Sequence, residues 1–170
     1  MRELSKNVSL EQANSPLGLV AISIAHEYVG QKEVPAGSNA GPFVEGCLKL
    51  VGLGKGFAWC QAFVYRVFHE AAKMRGVENP VPKTAGVLKC WQSVTAEQRI
   101  SRSAEPKPGD QFIMDYGKGL GHTGIVVSVE GDSFTTIEGN TDAGGSRTGG
   151  MVCLRSRRRD DPKMRGYIRY

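Results

Sequence analysis

The chain has 170 residues, of which 40% are hydrophobic and 23% are charged, as in an ordinary soluble protein. This length gives one domain a substantial core and is tight for two, and no apolar stretch is long enough to span a bilayer. The net charge of +5 favours polyanionic partners. We expect no nucleic-acid partner, because basic and aromatic residues do not alternate as they do in single-strand-binding proteins.

The N-terminal segment is polar, and it predicts an arm over residues 1–14 that precedes a single domain over residues 15–170. The segment has no secretory apolar core. We therefore expect synthesis in the cytoplasm, and action outside it only after release or export. We further expect a monomer with no stable membrane insertion.

Four helices are predicted in the first half of the chain. Ser15 and Pro16 cap and open the first of them. Pro42 starts a short second helix, and the third follows a glycine-rich approach and ends near Gly76. Thr84 is predicted to cap a short fourth helix.

From residue 108 onward, the pattern changes to short β-strands separated by glycine and aspartate turn signals. The predicted strands are 111–114, 123–129, 133–138, 151–155 and 167–170. Helices followed by strands in one small chain predict an α+β domain. Its N-terminal helices pack on a C-terminal antiparallel sheet of about five or six strands.

Cys60 is the first candidate for a reactive group, because it lies at the first turn of the third predicted helix. There the positive end of the helix dipole and the unpaired backbone N–H groups favour the thiolate, which is the nucleophilic form. The competing interpretation is a small core residue, since Cys60 shares an apolar stripe with Phe63 and Val64.

The other three cysteines, Cys47, Cys90 and Cys153, are widely spaced and form no Cys-x-x-Cys pair. Zinc sites normally use tighter ligand pairs, so we expect no metal and no cofactor. The sequence leaves a disulfide among these three open, and reduced thiols are favoured in a product of the cytosol.

A histidine and two polar residues are the candidate partners of the cysteine. A hairpin turning at residues 131–132 brings His122 to the open end of the sheet that also carries Glu138 and Asn140. An imidazole that takes the thiol proton, and a carboxylate or amide that orients it, complete the parts of thiol catalysis. Taken singly, each has a simpler interpretation as a surface histidine, a solvated carboxylate or a turn residue.

The register of this hairpin decides whether the partners can meet. A two-residue turn pairs Glu130 with Ser133, and His122 and Glu138 then fall on opposite faces of the sheet. A three-residue loop or one bulge pairs Glu130 with Phe134 and places them on one face. We predict the second arrangement, although the turn residues slightly favour the first.

Five segments resemble those of the CHAP domain, the cysteine- and histidine-dependent amidohydrolase/peptidase family of papain-like cell-wall hydrolases. They are residues 39–42 (NAGP), 58–64 (AWCQAFV), 107–110 (KPGD), 121–126 (GHTGIV) and 137–140 (IEGN). The resemblance runs from about Ser15 to the C-terminus. It implies a papain-like α+β fold and the cleavage of amide bonds in peptidoglycan.

The resemblance also implies roles for individual residues. Cys60 would be the nucleophile and His122 the general base, with Glu138 orienting the imidazole and Asn140 beside it. The expected substrate contacts are Trp59, Gln61 and Gly121.

Two features depart from the family. Some members carry an acidic calcium loop before the nucleophile, where this chain has the sequence GLGKG at 52–56, so no metal is expected. Many members carry a separate wall-binding domain, for which this chain has no room. Our hypothesis is that the basic C-terminal surface replaces it, and neutralising Arg157, Arg158 and Arg159 would test this. The residues of that surface are Arg155, Arg157, Arg158, Arg159, Lys163, Arg165 and Arg169.

These features together predict a peptidoglycan hydrolase that is either an N-acetylmuramoyl-L-alanine amidase or a stem-peptide endopeptidase. It would act as a phage endolysin or as an exported antibacterial effector, and an effector would add an immunity protein or an export machinery as partners. Two alternatives remain: a transglutaminase-like acyl transferase, and a non-catalytic wall-binding or assembly module that keeps the fold.

Overall fold

The computed structural model describes residues 16–142, 144 and 149–170, so the predicted arm and the Ser15 cap lie outside the described residues. The helices are α1 (Pro16–Glu27), α2 (Pro42–Leu50), α3 (Cys60–Arg75) and α4 (Val87–Ser93). The strands are β1 (Arg99–Ser101), β2 (Gln111–Gly117), β3 (Leu120–Glu130), β4 (Ser133–Thr141), β5 (Met151–Arg158) and β6 (Met164–Ile168). Helices therefore precede strands, and the predicted α+β, papain-like arrangement is confirmed.

The described strands form one antiparallel sheet in the order β1-β6-β2-β3-β4-β5. Strand β1 was not expected, because its three residues lie in a polar region with no alternation of apolar side chains. It is stabilised by pairing with β6 rather than by burial of its own side chains. None of the helices in the described part of the chain is both long and apolar enough to cross a membrane.

The sheet carries a different apolar cluster on each face, as the two-residue period of a strand requires. Ile113, Ile125 and Ile137 are buried together with the apolar residues of the helices. Phe112 and Phe134 belong to a smaller cluster on the opposite face. The central strands are thus covered on both sides, and their polar side chains are buried as well.

Helix α3 is the central helix of the larger cluster. The apolar stripe that contains Phe63 and Val64 is fully buried, and the helix contacts both β3 and β4. It ends at Gly76, whose φ of 67° gives the left-handed C-cap that glycine favours, as predicted. Helix α4 begins at Val87 rather than directly after Thr84, because the Thr84 hydroxyl accepts a hydrogen bond from the Gly86 amide in a turn before the helix.

The β3–β4 hairpin combines the two registers considered above. The turn has two residues and pairs Glu130 with Ser133, so the expected pairing of Glu130 with Phe134 is wrong. A register shift between Val126 and Ser128 then inserts one extra residue into β3, and Ile125 pairs with Ile137. This bulge restores the parity that the turn alone would have lost.

Candidate active site

Cys60 is the first residue of α3 and is only 3% exposed. The first amide that bonds inside the helix belongs to Phe63, which donates to the Trp59 carbonyl at 2.8 Å. The amides of Cys60, Gln61 and Ala62 precede it, so they have no acceptor within the helix. The thiol therefore lies among backbone donors at the positive end of a 16-residue helix.

His122 lies near the start of β3 and is fully buried. Its Nε2 is 2.6 Å from Oε2 of Glu138, so the bulged hairpin does place the two side chains together. Nδ1 is buried without a hydrogen bond of regular geometry to any described residue. Since Nε2 is occupied by Glu138, Nδ1 is the nitrogen that serves the interaction between His122 and Cys60. Hydrogen bonds between catalytic groups are often long or poorly aligned in unliganded sites.

The charges around His122 favour the imidazolium. Burial alone lowers the pKa of His122, but the interactions with Cys60 and Glu138 outweigh it and raise the pKa to about 9. The interactions of the ring with Cys60 and with the Glu138 carboxylate are the physical cause, because each favours the charged imidazolium over the neutral ring. The arrangement suits a thiolate–imidazolium pair.

Glu138 is fully buried in β4 and uses both of its carboxylate oxygens. Oε1 accepts hydrogen bonds from the Thr136 hydroxyl at 2.6 Å and from Arg157 Nε at 2.7 Å. Oε2 is shared by His122 and by Arg157 Nη2, each at 2.6 Å. Burial raises the pKa of Glu138, but Arg157 and His122 lower it to about 2, so it is a carboxylate at neutral pH. Gly124 provides the space, since a Cβ there would lie 2.7 Å from Glu138 Cγ.

Asn140 lies two residues further along β4 and is also buried. Its φ of 55° is left-handed, and it coincides with a register shift between Glu138 and Thr141 in the pairing with β5. Asparagine tolerates this conformation better than most residues. The Oδ1 of Asn140 has no hydrogen-bond partner among the described residues. Of the two candidate orienters, Glu138 is thus the one that bonds to His122.

The predicted substrate contacts are located differently from what the sequence suggested. Trp59 is fully buried, and its Nε1 donates to Glu33 Oε1 at 3.0 Å. Gln61 is also fully buried, and its Oε1 accepts from Gln111 Nε2 at 2.7 Å. Neither side chain is exposed, and the hydrogen bonds of both support the Cys60 turn; their contact with substrate stays a prediction.

Gly121 is the third predicted contact, and the structure leaves it half-buried. A Cβ at this position would lie 2.9 Å from the Met114 carbonyl and 3.0 Å from the Val87 side chain. Close packing between β2 and α4 therefore explains the glycine without a substrate. Its contact with substrate stays a prediction.

Of the three arginines chosen to test the basic-surface hypothesis, Arg157 is not part of the surface, and the wall-binding role of the remaining basic residues stays a prediction. Arg157 points inward to Glu138, and only 10% of its side chain is exposed. Arg158 is paired with Asp160 at 2.8 Å, and Arg159 lies 3.7 Å from Glu105. The predicted strand ended at residue 155, whereas β5 continues to Arg158. Side chains alternate between the two faces of a strand, so Arg157 and Arg158 point in opposite directions.

Two exposed apolar side chains beside the site were not among the predicted contacts. Phe57 is 52% exposed and precedes Cys60 by three residues, and Leu120 is 45% exposed and precedes His122 by two. The signal that could have identified them is their position, since each is a large apolar residue that follows a glycine and precedes a candidate catalytic residue by two or three positions.

Comparison with known families agrees with this geometry. Residues 52–140, which are more than half of the chain, match the model of the family described as CHAP domain. The matched segment contains Cys60, His122, Glu138 and Asn140, whereas Arg157 lies beyond its end. No curated protein matches the chain.

Proposed function

This chain belongs to the CHAP domain family, and we propose that it is a cysteine hydrolase that cleaves amide bonds in peptidoglycan. The family is one of amidase- and peptidase-type hydrolases. The observation that carries the proposal is the line from Cys60 at the start of α3, through the ring of His122, to the carboxylate of Glu138. Nucleophile, base and orienter are the three groups that acyl transfer through a thiol requires.

The proposed reaction has two halves, the acylation of Cys60 and the hydrolysis of the resulting thioester, and the same groups act in both. The Cys60 thiolate attacks the amide carbonyl, and the backbone N–H groups at the start of α3 stabilise the negative oxygen of the tetrahedral intermediate. The His122 imidazolium gives its proton to the leaving amine as the C–N bond breaks, which leaves a thioester on Cys60. The neutral imidazole then takes a proton from water, which attacks the thioester and releases the carboxylic acid product and the thiolate.

Glu138 has a purely electrostatic and orienting role in this scheme. Its bond to Nε2 leaves Nδ1 facing the thiol and stabilises the imidazolium that forms in each half-reaction. Because the carboxylate is already charged at neutral pH, it does not need to exchange a proton with His122.

The substrate is proposed to be the peptide part of the wall polymer. Phe57 and Leu120 offer exposed apolar surface close in the sequence to Cys60 and to His122. Methyl-bearing alanine residues of a stem peptide are suitable partners for such surfaces. The bond attacked is either the one between muramic acid and L-alanine or one within the stem peptide. The setting is a phage endolysin or an exported antibacterial effector.

The experiment is mass spectrometry of purified peptidoglycan incubated with the wild-type protein and with Cys60→Ala. We expect fragments from the wild type and a loss of at least about a thousandfold in the variant, because removing a nucleophile removes the covalent route. Free stem peptides would identify an amidase, and shortened or uncrosslinked muropeptides an endopeptidase. New crosslinks would support an acyl transferase instead.

Cys90→Ala is the matched control, since it removes a buried thiol that does not contact His122. It should release fragments at the wild-type rate. If the wild type, Cys60→Ala and Cys90→Ala all leave several wall types intact, the hydrolase proposal is wrong and the non-catalytic module takes its place.

A further inference from the structure

Arg157 is a charged residue at the site that lies outside the segment matched by the family model. It is near the end of β5, directly across from Phe134 in the register of the sheet. The strand directs its side chain over the smaller apolar cluster and toward β4. The family match therefore assigns no role to Arg157, and its role is inferred from its contacts.

The contact between Arg157 and Glu138 is bidentate. Nε donates to Oε1 at 2.7 Å and Nη2 donates to Oε2 at 2.6 Å, which is the parallel fork that guanidinium and carboxylate groups form best. Glu138 is fully buried and Arg157 nearly so. Water therefore competes little for either group, and each charge depends on the other for compensation.

The same aromatic ring supports both cationic groups of the cluster. The guanidinium carbon of Arg157 lies 5.6 Å from the centroid of the Phe112 ring, and the His122 ring lies 6.1 Å from it at a tilt of 54°. Phe112 is fully buried in the apolar cluster of that face. Arg157 is thus held by a carboxylate on one side and by an aromatic ring on another, which limits its rotation.

The number of bonds on Glu138 fixes its orientation. Its two carboxylate oxygens accept two hydrogen bonds from Arg157, one from Thr136 and one from His122. Without Arg157, Oε2 would keep only His122, and Glu138 would be a buried carboxylate opposite a single titrating partner. Such a group protonates more readily, and a protonated Glu138 no longer stabilises the imidazolium.

We propose that Arg157 is a positioning residue of the catalytic machinery, which holds Glu138 ionised and oriented toward His122 and so keeps the Cys60–His122 pair reactive at mildly acidic pH. The inference rests on the proposed function, because it assumes that Cys60 is a nucleophile activated by His122. The competing account is that Arg157 only stabilises the sheet. The two accounts differ in pH dependence, since a structural role changes the amount of folded protein and not the titration of the thiol.

The test measures the alkylation rate of Cys60 by iodoacetamide between pH 4 and pH 9, with peptide mapping to separate the four thiols. The variants are Arg157→Gln, which removes the charge, and Arg157→Lys, which keeps the charge but loses the fork. We expect the acid edge of Cys60 reactivity to rise by at least about one pH unit in Arg157→Gln and by less in Arg157→Lys. At a pH below both acid edges, the rate in Arg157→Gln should then be about tenfold below wild type, with little difference at pH 8.

Arg158→Gln is the matched control, because Arg158 is the next residue, points to solvent and pairs only with the exposed Asp160 among the described residues. Its acid edge should equal that of the wild type. Unchanged edges in both Arg157 variants would overturn the inference. If Arg157→Gln does not fold, Arg157→Lys decides by the same criterion. A wild-type Cys60 that reacts no faster than Cys90 would instead overturn the proposed function, so the two failures are distinguishable.

Discussion

Two buried polar networks lie beside each other in this protein, and adjacent residues belong to different ones. Cys60 and His122 belong to a charged network that continues through Glu138. The next residues along the chain, Gln61 and Thr123, belong to a neutral network. His122 and Thr123 are neighbours on one strand and therefore lie on opposite faces of the sheet, whereas Cys60 and Gln61 are neighbours in the first turn of α3.

The neutral network is centred on Gln111. Its Nε2 donates to Gln61 at 2.7 Å and to Thr123 at 2.8 Å, and its Oε1 accepts from the Tyr170 hydroxyl at 2.6 Å. The network contains a thiol of its own, because Cys90 Sγ lies 3.9 Å from Gln111 Oε1. It connects Tyr170 to helix α3, which carries the proposed nucleophile Cys60.

The two networks give two buried thiols different surroundings. Burial raises the pKa of Cys90 to about 11, and the neighbouring amides and phenol do not offset it. Cys60 has an imidazole beside it whose own pKa is raised to about 9. Both thiols are buried in polar surroundings, and only the one beside a cationic partner is in a setting that favours a thiolate.

Glu138→Gln is expected to have the largest effect on activity, because it changes the charged network and leaves the neutral network intact. An amide cannot compensate the imidazolium or the Arg157 cation, so we expect the rate of wall hydrolysis to fall by about 10⁴-fold. The measurement is the initial rate of fragment release, corrected for the folded fraction by circular dichroism. A rate within a factor of a few of the wild type would contradict the assignment of Glu138 as the orienter.

Asn140→Gly is the companion variant, since glycine keeps the left-handed backbone at this position. Asn140 makes no bond to His122, so its effect should be smaller than that of Glu138→Gln by about an order of magnitude or more. The reverse ranking would make Asn140 the principal orienter.

A smaller effect, on stability alone, is expected from the neutral network. Gln111→Leu leaves the buried polar groups of Gln61 and Thr123 without their partner, which should lower the free energy of unfolding by about 1–3 kcal/mol. Urea denaturation measures this change. The alkylation rate of Cys60 in the folded variant should equal that of the wild type, and a large fall would mean that the two networks are coupled.

Much of the fold followed from the sequence because local patterns determine it. The apolar stripe of α3, its end at Gly76 and the change to strands after residue 108 are all found as predicted. The approach of His122 and Glu138 was predicted, but its cause was only partly foreseen. The sequence offered the two-residue turn, and nothing local at Val127 indicated that the extra residue would be inserted there.

The parts of the site that the sequence did not reveal depend on tertiary burial. Trp59 and Gln61 flank the nucleophile, which made them candidates for contact with substrate, yet their hydrogen bonds to Glu33 and Gln111 turn both inward. Arg157 is one of three consecutive arginines, and the sequence alone does not distinguish it from the other two. Only the full length of β5 shows that it faces Glu138 while its neighbour faces solvent.

The central claim is that His122 activates Cys60, and the alkylation rate of Cys60 in the wild type and in His122→Ala tests it most directly. We predict that wild-type Cys60 reacts at pH 7 far faster than Cys90 and loses the contribution of the imidazolium as the pH rises through about 9, where His122 deprotonates. In His122→Ala the reactivity at pH 7 should fall to that of an ordinary buried thiol. Equal rates in the two proteins across this range would contradict the account.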